Sequence, residues 1–169
     1  MAAIKLLSAL ATLGVAVASP NATTGGKLEK ALYSSRLLWA TVDVCNPKDK
    51  PDTIGIRGSM PSDGHKGDTL YMRFRVQYEE ASSKQWLYVA KNADSGFQLV
   101  HSAGAASQAG RNFQLVPAAG AFTLRGVVSF QWRRGARVVY ATTRVTTAHH
   151  ESLAGADPSG FSTATCTIA

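Results

Sequence analysis

The residues of this chain with the widest chemical reach are four histidines, two cysteines and a set of arginines carried on strand-like segments. The histidines are His65, His101, His149 and His150. As general bases they would need a nucleophile within reach and an oxyanion hole. No G-x-S-x-G elbow is present. A hydrolase would therefore have to assemble His65, His101 and His149 from separate loops. Asp63-Gly64-His65 and His149-His150-Glu151 have the residue types of a metal site. Adjacent side chains on an extended segment point opposite ways, so His149 and His150 do not easily share one ion. Solvated loop histidines and no metal are the expected reading. No EF-hand, P-loop or dinucleotide fingerprint occurs, so no cofactor is expected. Asp49, Asp52, Asp63, Asp94 and Asp157 lie in turn-like stretches, where carboxylates are solvated, which gives no sign of a glycosidase pair.

Cys45 and Cys166 stand 121 residues apart, without the C-x-x-C spacing of a redox-active pair. In an oxidising compartment an even pair is most simply a disulfide, with free thiols or an intermolecular bridge as alternatives. The arginines have a pattern of their own. Tyr71, Arg73 and Arg75 alternate with apolar residues on one segment, and Arg125 and Arg133 do so on another. Arg134 and Arg137 flank a turn after the second. If the two segments are neighbours, they make an arginine stripe suited to a polyanion or a sugar. Arginine on an outer strand face also serves simply to solvate a sheet and guard its edge. Trp39, Trp86 and Trp132 are candidates for a carbohydrate platform, although Trp132 shares a face with Val128 and Phe130 and reads as core. The formal charge of +7 suits an anionic neighbourhood and equally suits plain solubility. No nucleic-acid module fits the pattern.

The elements that must position these residues are strands. Leu70, Met72, Phe74, Val76 and Tyr78 alternate with Tyr71, Arg73, Arg75 and Gln77, the period-two pattern of an antiparallel strand with one wet face. Phe122–Trp132 repeats the pattern, and Arg134-Gly135 turns it into a hairpin returning over Arg137–Thr146. Leu37–Cys45, Thr53–Ser59, Gln85–Ala90, Phe97–His101, Asn112–Val116 and Phe161–Ile168 read as further strands. Met60–Gly67 and Gly104–Arg111 read as loops, and Lys27–Arg36 has room for a helical turn or two. Before the strands, a lysine, an apolar stretch and Ala16-Val17-Ala18 have the form of an export signal over residues 1–18. Residues 19–36 are expected as a flexible leader and 37–169 as the domain. With residues 1–18 removed, no segment is apolar enough to span a bilayer.

Roughly eight or nine short strands separated by turn signals imply an all-β, immunoglobulin-like antiparallel sandwich. The cysteine spacing departs from that of an antibody domain, which leaves the topology open. Gly126–Thr147 and Ala156–Ile168, together with IGIRGSMP and LYMRFRVQY, resemble small secreted proteins of uncharacterised function from high-GC soil bacteria. That resemblance implies export and an immunoglobulin-like sandwich, and carries no catalytic or ligand residues. The expectation is a secreted, non-enzymatic binding or structural module at the envelope or outside the cell. Its partner would be envelope polysaccharide or another protein. A small hydrolase with a loop-built site, and a basic-surface binder of acidic polymer, are the alternatives.

Overall fold

A computed structural model describes residues 22–100, 105–116, 120–150 and 155–169. Residues 1–18, expected as an export signal, and His101 and Glu151 lie outside the described residues. The chain forms one helix, α1 (Ala22–Tyr33), and nine strands. These are β1 (Trp39–Cys45), β2 (Thr53–Pro61), β3 (Asp68–Glu79), β4 (Trp86–Tyr88), β5 (Asp94–Val100), β6 (Ala106–Gln114), β7 (Phe122–Arg134), β8 (Arg137–Val145) and β9 (Cys166–Ile168). Every pairing between them is antiparallel. The smaller sheet has the order β1-β2-β6. The larger is built on β3 and β7, with β4 and β5 along the far edge of β3 and β8 and β9 along the far edge of β7. The result is an all-β antiparallel sandwich of two packed sheets.

The alternation in the sequence fixes which face of the large sheet is inside. Met72, Phe74 and Val76 of β3 and Val128, Phe130 and Trp132 of β7 are fully buried. They meet Val42, Ile54, Ile56 and Met60 of the small sheet in one core. Trp132 satisfies its one donor by giving its indole N–H to the Pro61 carbonyl at 2.9 Å. Close approach of the sheets requires glycine at 126, where a Cβ would stand 2.6 Å from Thr146 Cγ2 and 2.7 Å from Ile56 Cγ2. The β7–β8 hairpin turns through Gly135 at φ 58°. Cys45 on β1 is bonded to Cys166 on β9. The disulfide therefore joins the two sheets.

Several segments differ from the sequence expectation, among them the last strand, which is Cys166–Ile168 rather than Phe161–Ile168, and β5, which begins at Asp94 rather than Phe97. Residues 19–36 do not form a leader without structure: α1 occupies Ala22–Tyr33, because Leu28, Leu32 and Tyr33 supply an apolar face that packs on the core. Tyr33 closes the free edge of β8, its hydroxyl donating to the Ala141 carbonyl at 2.7 Å and accepting from the Ala141 amide at 3.2 Å. Gly104–Arg111 was expected as a loop, but Ala106–Gln114 is a strand paired with β2 from Thr53 to Pro61. Backbone pairing along β2, with Phe113 buried, outweighs the small-residue composition there. For the same reason β2 runs on through Met60 and Pro61, beyond the strand end expected at Ser59. Thr41 and Asp43 of β1 are buried as well as their apolar neighbours. The segment after residue 155 lies along β1, with Asp157 and Thr163 bonded to the backbone of Asp43 and Val42. Asp43 Oδ2 accepts there from Arg57 Nε at 2.7 Å, whereas among the described residues its buried Oδ1 has no hydrogen-bond partner.

Candidate functional site

The outer face of the large sheet gathers the strand-borne arginines. Register places Arg73 beside Ser129, Arg75 beside Val127 and Gln77 beside Arg125, so the two segments are immediate neighbours. β4 sets Trp86 and Tyr88 opposite Glu79 and Gln77, and β5 sets Phe97 opposite Arg73. Guanidiniums and rings then interleave. Arg125 lies over Trp86 at 4.2 Å, Arg75 over Tyr88 at 4.3 Å, and Arg133 over Tyr71 at 4.0 Å and Phe97 at 5.2 Å. Arg73 lies 5.9 Å from the Phe97 ring. A planar guanidinium stacked on a ring keeps its edge donors pointing sideways and free to bond.

The electrostatics of this face are uneven. Arg73 is paired with Asp94, its Nε donating to Oδ1 at 2.8 Å and Nη2 to Oδ2. That pairing holds the Asp94 carboxyl below its ordinary range and raises Arg73. Arg75, Arg125 and Arg133 make no ion pair among the described residues. Arg125 Nε donates to Gln77 Oε1 at 2.8 Å, and Arg133 donates to Gln131 Oε1 through Nε and Nη2. Burial lowers the Arg125 pKa. Arg75 has a long bond to Ser129 Oγ at 3.4 Å, and among the described residues its buried Nε has no partner. Beside the arginines is a depression of about 240 Å³ lined by Phe97, Ser129, Gln131 and Thr143. Of the seven residues singled out from sequence, Tyr71, Arg73, Arg75, Arg125 and Arg133 come together here. Arg134 does not: it donates to both oxygens of Asp68 at 2.7 and 2.8 Å. Arg137 stands exposed at the hairpin tip.

No tryptophan offers an open sugar platform. Trp132 is buried, Trp86 has a face under Arg125, and Trp39 stacks on His150 at 4.5 Å between centroids. His150 Nε2 lies 2.8 Å from Thr147 Oγ1, and its backbone N–H donates to Ser162 Oγ. Burial, and secondarily the neighbouring His149, lower the His150 pKa. His65 is held elsewhere, beside Asp63. Among the described residues no carboxylate orients His150, as the base of a catalytic triad requires.

No protein-family model matches this chain, and no curated protein matches it. The function therefore has to be argued from the face itself. Among the described residues no helix is long and apolar enough to cross a membrane. The residues of this face that the sequence does not single out are the aromatic partners Tyr88 and Phe97, and Ser129 and Gln131, while Trp86, a candidate for a sugar platform, is instead a ring partner of Arg125. Their signal is the period-two alternation of their own strands, and it points to the arginines only once β4 and β5 are known to flank β3.

Proposed function

We propose that the protein is an exported, non-enzymatic binding module whose outer arginine–aromatic face takes an acidic polysaccharide. The observation that carries this reading is the set of three guanidiniums, Arg75, Arg125 and Arg133, stacked on rings and without carboxylates. The rings hold the arginines extended at little further entropic cost to binding. Asp94 on Arg73 displays the contact that an incoming carboxylate or sulfate would make, a two-point bond to one guanidinium. Because the rings are already stacked by arginine, recognition runs through charge and guanidinium geometry rather than through sugar rings lying on bare aromatics. The depression beside Ser129 and Thr143 offers hydroxyls to a saccharide next to the charged groups. Export is supported by the signal-like residues 1–18 and agrees with the disulfide between Cys45 and Cys166.

The test is binding of the folded chain to a uronic-acid polysaccharide at low salt, compared with Arg75→Ala/Arg125→Ala. The double variant is expected to lose affinity by about tenfold or more, since charge-assisted bonds are each worth about 1.5–3 kcal/mol. Circular dichroism confirms that the variant is folded. Equal affinity of the two proteins would overturn the proposal.

A further inference from the structure

We propose that Asp63, His65 and Asp68, in the turn between β2 and β3, form a site for a divalent transition-metal cation of the zinc class. One ligand atom from each of the three lies within 4.8 Å of the others. The side chains of Asp63 and Asp68 are each only 1% exposed, so two carboxylates are buried side by side. Arg134 answers one of them by donating to both oxygens of Asp68. Among the described residues nothing equivalent answers Asp63: its Oδ1 accepts the His65 amide at 3.0 Å, whereas its buried Oδ2 has no hydrogen-bond partner there. That oxygen stands 3.7 Å from His65 Nδ1.

A buried carboxylate oxygen without a donor is costly, and a positive partner relieves the cost. A proton and a metal ion are the two candidates. A cation also has a way in. The turn opens to solvent through a depression of about 190 Å³ lined by Asp63, His65, Asp68 and Lys66 among others. The His65 side chain is about half exposed, at 52%, so it can close on an ion without moving the core. Zinc-type ligand bonds of about 2.0–2.2 Å need only a small inward movement of three atoms so placed. The imidazole selects the metal class: calcium and magnesium favour all-oxygen sets, whereas zinc and its neighbours accept mixed nitrogen and oxygen. Sequence reasoning set Asp63 and His65 beside His149, His150 and Glu151 and expected no metal. The third ligand is instead Asp68, the first residue of β3.

The test is titration of the disulfide-bonded chain with zinc chloride by calorimetry, with cobalt(II) as an absorbing substitute. One equivalent is expected to bind, with loss of at least tenfold in His65→Ala and in Asp63→Asn, and no change in His149→Ala. His65 is exposed enough that its alanine variant keeps the fold, so the test stands even if Asp63→Asn does not fold. Absence of stoichiometric binding between about pH 6 and 8 would assign a shared proton to the two carboxylates and overturn the proposal. Binding that survives His65→Ala, or that falls in His149→Ala, would overturn it as well.

Discussion

Replacing both cysteines by alanine, Cys45→Ala/Cys166→Ala, severs the covalent tie between the small sheet and the large one. The bond closes a loop with a sequence separation of 121 residues. A loop of that length removes unfolded-state entropy worth about 4–5 kcal/mol at room temperature. Alanine introduces no polar group at the Cys166 position, which is 1% exposed, so loop closure dominates the difference. A loss of about 4–5 kcal/mol is a large share of the roughly 5–15 kcal/mol that holds a domain together. At about 2–4 °C per kcal/mol for a chain of this size, the melting temperature should fall by about 10–20 °C. Urea unfolding followed by tryptophan fluorescence gives the free energy directly, and the m-value should rise because the freed unfolded chain exposes more surface. A loss below about 1 kcal/mol with an unchanged m-value would refute the reasoning. Packing and the backbone bonds of β9 to β7 would then suffice to hold the sheets together without the bond.

Other outcomes follow from the same packing. Trp132→Phe strands the buried Pro61 carbonyl and leaves unfilled volume, and should cost about 2–4 kcal/mol in urea unfolding. Tyr33→Phe removes the hydroxyl from the β8 edge and should cost about 0.5–1.5 kcal/mol, with faster amide exchange at Ala141. His150 has a folded pKa below its ordinary value, so below pH 6.5 the unfolded chain binds more protons. Stability should therefore fall as pH drops through 6.5, and His150→Gln should flatten that part of the curve. An unchanged slope in the variant would assign the effect to another group.

The large sheet was legible because β3 and β7 alternate over most of their length, with Val127 the buried residue that breaks the pattern in β7. The arginine stripe was half legible: the positions of Arg73, Arg75, Arg125 and Arg133 follow from the same alternation, but their ring partners do not. Trp86, Tyr88 and Phe97 reach them through the pairing of β4 and β5 with one edge of β3, which is a tertiary fact. Arg134 was misplaced for a similar reason. Its neighbour Asp68 lies far off in sequence and comes opposite it only when β3 and β7 pair. The helix was legible only as room for a turn or two over Lys27–Arg36; its Thr- and Gly-containing start hid the rest, since Leu28, Leu32 and Tyr33 acquire a partner only from the core. β6 was hidden because strands of small residues are specified by the neighbour they pair with.

Affinity of the folded chain for a uronic-acid polysaccharide, measured beside the same polymer with its carboxylates reduced to alcohols, tests the central claim most directly. Binding to the acidic form is expected to weaken steeply with added salt, with none to the reduced form. Equal binding to both polymers, or to neither, would contradict it.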